Sequence, residues 1–406
     1  MGILLYDQPP AYSLAYNDNV YVMKSTNYTP TQRFKIDVLP SDYPITPALA
    51  TMRVYPRVSV GLTSEDRAYF DPSRILQSLL THDISIPSAN HSTFFTCPNS
   101  HTNYSLRITE EDKVNGVYVP GAKFKTSSKT VWNGVRNTRE WLDFDYTDYD
   151  VTSSSSGIKF LSDAPTTRHI NTGQSAFLHF ISSDQSPTGL TLKSYNSTGG
   201  LITTAQITFA SPIFGRAAVG PYDIVNSDPA DWTSSTPTTF LNNITYYTVQ
   251  LRGGAQQVIR FNLDQQCSKY TPIRLQWLNR LGGFDCFNFN LKSEEETKIK
   301  RASYEQQHHT FTGTRWNYSA ISRGQTDYDV QTSDKITINT DFLTEAESTW
   351  MNDLVTSPVI FQELNNELIA VNIDERSIKK QTSLNDKLMQ YTFDLEYSLR
   401  NMRQRG

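Results

Sequence analysis

The chain has 406 residues, a hydrophobic fraction of 37% and a formal net charge of −4 at pH 7. This length exceeds one ordinary hydrophobic core, so two or three domains are expected. The near balance of acidic and basic residues excludes the strongly basic composition of a general nucleic-acid binder. Aromatic residues make up 12% of the chain, and large rings at half-buried positions favour β-sheets over helix bundles.

Cysteine content and hydropathy indicate the cellular compartment in which the protein is expected to be made. The three cysteines, Cys97, Cys267 and Cys286, cannot all pair within one chain, and their spacing matches no zinc site. A reducing cytosol is therefore the expected place of synthesis. Residues 1–6 lack the pattern of a signal peptide. Since no run approaches the ~20 apolar residues of a membrane helix, no membrane partner is expected.

The N-terminal part alternates β-forming residues with turn residues. Residues 19–25, 33–39 and 51–59 have strand patterns and are separated by prolines. Residues 71–80 begin with Asp-Pro, which predicts a short helix with the aspartate as its N-cap. Short strands at this spacing predict an immunoglobulin-like β-sandwich over residues 1–152.

A second β-sandwich is predicted over residues 158–292. The serine-rich stretch 153–157 is the first domain boundary, because such composition is typical of linkers. Further strand patterns follow it. In residues 273–291, apolar and polar residues alternate on both sides of Gly282-Gly283, which predicts a hairpin with aromatic cross-strand pairs.

The C-terminal part differs in kind and predicts a smaller α+β domain over residues 302–406. The charged run 293–301 before it is interpreted as a solvated linker or an exposed helix. Thr344 and Glu347 have the spacing of a capping box, so a helix with one apolar side is expected to follow and to end before Pro358.

Two more patterns complete this domain. Strands are predicted on both sides of Asn365-Asn366, which predicts a hairpin. Residues 389–399 alternate apolar and polar positions throughout, which predicts a strand. The expected fold class is mainly β, with tandem immunoglobulin-like β-sandwich domains and a smaller α+β C-terminal domain.

Two clusters have the residue types of a metal site. Asp143, Asp145, Asp148 and Asp150 lie close together in sequence but lack the glycine and glutamate of an EF-hand loop. An exposed acidic strand and turn is therefore favoured over a calcium site. His308-His309 would point to opposite faces of a strand and are expected to be solvent-exposed. No metal or other cofactor is expected.

No catalytic motif accompanies the histidines, serines and carboxylates of the chain. Neither a nucleophile elbow, nor a phosphate-binding glycine loop followed by a helix, nor a dinucleotide fingerprint is present. The sequence thus predicts a protein that is not an enzyme and has no catalytic residues. A hydrolase ranks third among the interpretations, since carboxylates distant in sequence can still meet in space.

Two stretches of the chain, one N-terminal and one central, resemble a known group of proteins. The opening, with VYVMKS, RFKIDV and YFDPSRILQSLL, is followed by FGRAAVGPYDI and then by RLQWLNRLGGFDCFNF. These stretches resemble virion structural proteins of tailed bacteriophages of Bacteroidetes hosts, crAss-like phages included. The shared phrase is a cysteine followed by W-L-N-x-x-G-G-x-D, and the matching residues here are Cys267, Trp277, Leu278, Asn279, Gly282, Gly283 and Asp285. The position after Asp285 is often aromatic in that group, whereas Cys286 stands here.

The resemblance implies a structural component of the virion rather than a catalyst. A ring-forming tail protein is expected, such as a tail hub, distal-tail or portal-adjacent ring protein, made in the host cytoplasm. The implied partners are further copies of the chain, six or twelve in a closed ring, and other tail or portal-region proteins. Neither a membrane nor a specific nucleic acid is an expected partner. The turn around Gly282-Gly283 is itself interpreted as a structural hairpin motif and not as a binding or catalytic site.

The assembly surface of such a ring is predicted in residues 343–403. Its apolar residues are Trp350, Met351, Leu354, Tyr397 and Leu399. Because this block is short for an independent core, its apolar faces need a cover, either from a neighbouring copy or from the chain's own preceding domain.

The alternative function is a carbohydrate- or receptor-binding β-sandwich protein of the phage adsorption apparatus. Such a protein would also be rich in strands and aromatic residues, and an exposed ring would stack on a sugar. Trp132, Trp141 and Trp232 lie in turn-rich surroundings and are the candidates for that role.

Overall fold

The structure is a computed structural model that describes residues 2–40, 47–57, 67–84, 93–152, 158–184, 189–208, 213–252, 257–264, 269–307, 309–318, 324–365, 367–374, 389–399 and 401–402. The chain forms two compact units. Unit 1 comprises Met1–Asp264 and Leu278–Asp285, and unit 2 comprises Gln265–Trp277 and Cys286–Gly406. The three-domain division expected from the sequence stays a prediction.

Unit 1 contains eighteen labelled strands and four short helices among its described residues. The strands are β1 (Ile3–Asp7), β2 (Tyr12–Leu14), β3 (Tyr21–Ser25), β4 (Arg33–Pro40), β5 (Ala50–Val54), β6 (Ala68–Phe70), β7 (Phe94–Thr96), β8 (His101–Val114), β9 (Val117–Lys125), β10 (Lys129–Trp132), β11 (Thr167–Ile170), β12 (Phe177–Ile181), β13 (Gly189–Tyr195), β14 (Leu201–Thr208), β15 (Phe214–Ala218), β16 (Trp232–Thr233), β17 (Tyr246–Leu251) and β18 (Ile259–Leu263). The helices are α1 (Ser73–Gln77), α2 (Thr138–Trp141), α3 (Pro221–Val225) and α4 (Pro237–Phe240), with 3₁₀ turns at Tyr146–Asp148 and Pro229–Asp231.

The strands of unit 1 form two β-sandwiches. In the first, the sheet β1-β3-β6 shares a core with the sheet β2-β10-β8-β4-β5, to which β9 is added through β8. In the second, the sheet β12-β15-β7 shares a core with the sheet β11-β18-β17-β13-β14-β16. The mainly β fold class expected from the composition is therefore confirmed. Strand β7 lies early in the chain yet pairs in the second sandwich, with β15.

Alternation along β4 shows why these sheets form. Phe34, Ile36 and Val38 are fully buried and face the shared core of the first sandwich. Their antiparallel partners on β8 include Ile108, which pairs with Ile36, and Leu106, which pairs with Val38. Successive side chains of a strand point to opposite faces, so apolar residues at every second position build one buried face. The strand predicted over residues 33–39 is confirmed.

The short helix predicted after Asp71-Pro72 is confirmed as α1, but its boundary differs. The N-cap residue is Pro72, which has no side chain to offer to the backbone. Asp71 instead accepts hydrogen bonds from the backbone N–H of Ser73 (2.9 Å) and of Asn19 (3.2 Å). The aspartate thus fixes the start of the helix and also binds the turn before β3, although it lies one position outside the cap.

Unit 2 is built on one large sheet. Its elements are β19 (Ile273–Leu278), β20 (Phe284–Phe289), β21 (Glu294–Glu305), β22 (His309–Phe311), β23 (Trp316–Tyr318), β24 (Gln325–Asn339), α5 (Glu345–Thr356), β25 (Ile360–Leu364), β26 (Glu367–Ile373), β27 (Thr392–Tyr397) and β28 (Asn401–Met402). The strand order is β20-β19-β25-β26-β27-β24-β21, and β28 pairs with β24. Strands β22 and β23 form a separate hairpin.

The charged run 293–301 is neither a linker nor a helix, which corrects the sequence interpretation. Residues 294–301 belong to β21, which pairs with β24 in a continuous antiparallel register from Glu294↔Thr337 to Arg301↔Val330. All eight of these residues are exposed. Charge density correctly indicated solvent exposure, but it does not distinguish an exposed strand at a sheet edge from a linker.

The hairpin β19–β20 is confirmed, but its polar positions are not on a solvated face. All six residues of β19 are buried. Arg274 donates to Glu363 (3.0 Å) and to Asn288 (2.8 Å), so its charge is paired inside the unit. An alternating pattern predicts one exposed face, and here both faces of the strand are covered.

Helix α5 is confirmed with its capping box, in which the Thr344 hydroxyl accepts from the N–H of Glu347 (3.3 Å) and the Glu347 carboxylate accepts from the N–H of Thr344 (2.8 Å). Its apolar side packs on its own sheet. The ring centroids of Trp350 and Trp277 are 5.0 Å apart, and Met351 and Leu354 are fully buried.

The C-terminal strands bear out the remaining predictions in part. Strands β25 and β26 form the hairpin expected around residue 365, while Asn366 lies outside the described residues. The alternating strand is β27, shorter than predicted. Tyr397 donates to the Gln362 side chain (2.8 Å), and Leu399 is 81% exposed. Of the predicted assembly residues, Trp350, Met351 and Leu354 are therefore covered by the chain itself, which is the alternative that the sequence left open.

We expect Trp350→Ala to destabilise unit 2 far more than Leu399→Ala. The indole is 4% exposed and packs between rings, so its removal leaves a cavity and should cost about 3–5 kcal/mol. The exposed leucine should change the free energy of unfolding by no more than about 0.5 kcal/mol. Chemical denaturation of the two variants measures this. Equal losses would mean that the helix face is not a core in solution.

Candidate functional site: a buried turn and two exposed β-ribbons

The motif W-L-N-x-x-G-G-x-D forms a turn organised by one side chain. The Asn279 Oδ1 atom accepts hydrogen bonds from the backbone N–H of Leu281 and of Gly283, both at 3.0 Å. Its backbone N–H donates to the Gly283 carbonyl (2.8 Å), and its Nδ2 atom donates to the Leu161 carbonyl (2.9 Å). A short amide can satisfy several backbone groups of a tight turn at once. This buried side chain therefore closes the turn and binds it to unit 1.

The two glycines of the turn are required for different reasons. Gly282 has φ +84°, and a Cβ atom there would lie 2.2 Å from the Asn133 carbonyl oxygen. Gly283 has no positive φ, but a Cβ atom would lie 2.9 Å from the ring of His179. Gly282 is thus required for its backbone conformation and because a side chain would not fit, whereas Gly283 is required only because a side chain would not fit.

Around the turn, unit 1 supplies partners for each polar group. The Trp132 indole N–H donates to the Leu281 carbonyl (3.1 Å). Ser162 donates to the Asp285 carboxylate (2.7 Å), and the Arg168 guanidinium lies 3.9 Å from it. Leu281 is fully buried in a cluster with Trp132. The geometry is that of a packed structural element whose polar groups are bound by neighbouring side chains.

His179 is neutral because of its burial. The Phe284 backbone N–H donates to its Nδ1 atom (3.3 Å), which places the ring proton on Nε2. Burial and the nearby Arg216 guanidinium lower the pKa of His179 to about 3. Burial also raises the pKa of the Cys97 thiol to about 12. The thiol is therefore protonated at neutral pH, and a protonated thiol is a poor nucleophile.

The residues that match the cysteine and the W-L-N-x-x-G-G-x-D phrase do not all belong to the same unit. Leu278, Asn279, Gly282, Gly283 and Asp285 lie in the turn that belongs to unit 1. Trp277 belongs to the core of unit 2, and Cys267 lies outside the described residues.

The acidic cluster has protein partners and a different conformation from the predicted strand. Asp145 caps the 3₁₀ turn by accepting from the Thr147 N–H (2.9 Å), and Asp148 pairs with Lys159 (3.0 Å). Asp150 accepts from the Ser183 N–H (2.8 Å). Throughout the ranges that the structure describes, no three His, Cys, Asp or Glu residues are grouped to hold a metal ion.

Two of the tryptophans considered for sugar stacking are buried, which corrects that prediction. Trp132 is 1% exposed and Trp232 is 7% exposed, and the Trp232 indole donates to Ser227 (2.8 Å). Trp141 is partly buried against Phe144, with ring centroids 5.4 Å apart. Trp132 and Trp232 therefore offer no free face for a sugar, because turn-rich surroundings in sequence do not indicate exposure.

The first open surface is the C-terminal ribbon, defined as residues 294–339. Its strands β21 and β24 pair along twelve residues of β21. Strand β24 pairs with β27 only from Lys335 to Asn339 and with β28 only at Gln331 and Thr332. Among the described residues, the half of the ribbon beyond Arg301 is therefore two-stranded. A ribbon of two strands has no core of its own.

The tip of this ribbon, residues 309–318, carries exposed aromatic side chains. Phe311 is 61% exposed and Trp316 is 66% exposed, and their ring centroids are 5.7 Å apart. The His309 ring lies 6.2 Å from Trp316. The hairpin turns at Gly313, with φ +87°. These rings stabilise one another, but most of their surface faces solvent.

The second open surface is the N-terminal ribbon, defined as residues 112–119 of β8 and β9, which lie beyond the last pair between β8 and β4 (Arg33↔Glu111). It turns at Asn115 and Gly116, both with positive φ, as a two-residue hairpin requires. Val114, Val117 and Val119 are 52%, 66% and 47% exposed. For the tip of the C-terminal ribbon, the sequence offers one signal. The segments HHTF and RWNY stand on either side of a Thr-Gly-Thr turn, which is a pattern that predicts a hairpin.

The chain was compared with protein-family models and with curated protein sequences. No protein-family model matches it, and no curated protein sequence matches it significantly. Among the helices that the structure describes, none is long and apolar enough to cross a membrane.

We expect Gly282→Ala to destabilise the protein much more than Gly313→Ala. Both glycines have positive φ, so both substitutions carry the same backbone penalty of about 1–2 kcal/mol. Only at Gly282 would the new Cβ atom collide with a carbonyl, whereas nothing lies within 4 Å at Gly313. Thermal melts of both variants test the comparison. A similar loss in the two would show that the turn relaxes freely.

We expect the stability of the protein to depend on pH through His179. Its folded pKa of about 3 lies below its usual unfolded value of about 6.5. Between these values the unfolded state binds one more proton, so stability is present above pH ~6.5 and falls by about 1.4 kcal/mol per pH unit below it. His179→Asn should flatten this slope, and His309→Asn, at an exposed site, should not. Urea titrations at several pH values measure it, and identical slopes in wild type and His179→Asn would refute it.

Proposed function

We propose that this chain is a non-enzymatic structural subunit of a phage tail that contacts its neighbours through the C-terminal ribbon. The observation that carries the proposal is the exposed aromatic tip of that ribbon. Phe311 and Trp316 lie at the end of a two-stranded extension and contribute nothing to the core of unit 2. Burial of each ring by a partner would remove about 150–250 Å² from water.

The geometry of the tip fits an anchor for another protein. Interfaces derive most of their binding energy from a few residues, and tryptophan is among the most frequent of these. Most of the surface of both rings is exposed to solvent, so a neighbouring subunit has access to them. The N-terminal ribbon carries exposed valines at its own tip and supplies a second contact of the same kind.

A ring of identical subunits follows from such contacts when each tip binds a different surface of the next copy. Repeated contacts of this kind close into a ring if the rotation allows it. Six or twelve copies and a position in the tail are what the resemblance of the W-L-N-x-x-G-G-x-D motif implies. The same resemblance supports tail or portal-region proteins as further partners.

The exposed Trp316 ring also supports the alternative, a receptor- or carbohydrate-binding role. A tryptophan face open to solvent at the end of an arm is suited to stack on a sugar. The two functions share the tip but differ in what its loss would do to the particle.

We expect Phe311→Ser combined with Trp316→Ser to abolish incorporation of the protein into particles without unfolding it. Both side chains are exposed, so the variant should melt within about 1 kcal/mol of the wild type. The control is Leu142→Ser, which alters an 82% exposed apolar residue outside both ribbons. The measurement is the copy number in particles that contain the variant as their only copy.

Three outcomes separate the hypotheses. Particles that lack the protein, or do not form, support the structural role of the tip. Full copy number with lost adsorption to cells would instead support the receptor-binding role. Full copy number with normal adsorption would overturn both.

A further inference from the structure

We propose that the outer edge of β21 pairs with the same edge of a second copy of this chain, antiparallel about a two-fold axis at Thr297. This contact goes beyond the proposed function, because it uses the base of the C-terminal ribbon and not its aromatic tip. The proposed partner is a second copy of this chain, which presents the same strand edge.

The edge of β21 is open to such a partner. In the described residues β21 pairs with β24 alone and stands at the end of the sheet. Residues 294–301 are all exposed, and their register contains no bulge before Ala302. A long regular edge strand presents unpaired backbone groups that can hydrogen-bond another strand.

The charges along this edge are arranged in two blocks of opposite sign. The sequence reads Glu-Glu-Glu-Thr-Lys-Ile-Lys-Arg from residue 294 to residue 301. Side chains alternate between faces, so Glu294, Glu296, Lys298 and Lys300 share one face of the sheet. A two-fold axis at Thr297 places Glu294 opposite Lys300 of the second copy and Glu296 opposite Lys298. The symmetry repeats both pairs, so four opposite-charge pairs form.

The two lysines of this face stand opposite uncharged residues of β24, although Lys335 and, to a smaller extent, Lys298 lower the pKa of the Asp394 carboxyl group on β27. The partners of Lys298 and Lys300 on β24 are Ser333 and Gln331, which carry no charge. Glu296 stands opposite Lys335, which already binds Asp394 at 2.7 Å. Glu294 binds Lys292 at 2.7 Å, but both side chains are more than 60% exposed, and an exposed pair of this kind is weak. The charges are thus available to a second strand.

Charged residues on an edge strand also serve to prevent pairing, and the arrangement distinguishes the two roles. A blocking edge works best with charges of one sign, which repel any identical strand. Here the eight residues carry three negative and three positive side chains. Parallel pairing in register would place like charges together, whereas antiparallel pairing about Thr297 places opposite charges together. The pattern favours one specific self-association.

A contact about a two-fold axis differs from the contact that closes a ring. Each copy contributes the same surface to it, so it produces dimers and not a cycle. Together with a ring contact it would join two rings back to back. A variant can lose the contact of the β21 edge and keep the contact of the tip, so the two contacts can be tested independently.

The test exchanges the charges of the two blocks. An acidic-edge variant carries Lys298→Glu and Lys300→Glu, and a basic-edge variant carries Glu294→Lys and Glu296→Lys. Both are made in the full chain with Phe311→Ser and Trp316→Ser, so that tip contacts do not contribute. Sedimentation equilibrium then measures the dimer dissociation constant. Lys123→Glu with Lys125→Glu on the exposed strand β9 is the control for a change of net charge.

We expect the parent to dimerise, and each edge variant alone to raise the dissociation constant by about tenfold or more, because four attractive pairs become repulsive. An equimolar mixture of the two edge variants should form heterodimers, and a chain with all four substitutions should dimerise again. The control should dimerise as the parent does. A monomeric parent at the highest soluble concentration, or edge variants that dimerise like the parent, would overturn the proposal while leaving the role of the tip intact.

Discussion

The side chain of Asn279 holds together the buried turn of unit 1. One amide closes the turn of residues 278–285 with two acceptor contacts and binds it to the Leu161 carbonyl with a donor contact. The turn is buried within unit 1, so any polar group left unpaired there would carry a large desolvation cost. Asp285 and the Leu281 carbonyl meet the same requirement through Ser162 and Trp132. The residues of the motif from Leu278 to Asp285 are thus explained by the packing and the hydrogen bonds of a buried turn.

The sheets around this turn explain how a chain with a hydrophobic fraction of 37% forms several cores. Each sandwich covers one face of each sheet, so only every second residue has to be apolar. Large rings fill these positions. Phe34 in the first sandwich and Phe180 in the second are fully buried. Where the strands continue beyond their sandwich or sheet, as in the two ribbons, no second layer covers them.

Local sequence signals predicted local structure well. The Thr344–Glu347 capping box gave the start of α5, and strict alternation gave β4 and the core of β27, because both signals act within a few residues. Burial by other parts of the chain was not predictable. Trp132 lies beside turn residues yet is buried by Leu281, about 150 residues away. The interpretation of residues 293–301 as a solvated linker or an exposed helix was wrong, because the partner strand β24 begins twenty residues after β21 ends and no local signal indicates the pairing.

The contrast between buried and exposed residues also bears on the surface of the protein. A core residue is determined by the space around it, whereas an exposed residue is free to vary unless it has a partner. Phe311 and Trp316 gain little from their own hairpin, and a fully exposed β21 needs no ordered charge pattern to remain soluble. Separate blocks of acidic and basic residues on a regular edge, and two rings at the end of an extension, are therefore features that the fold alone leaves unexplained. Both are explained if the unfilled side of each is occupied by another protein molecule.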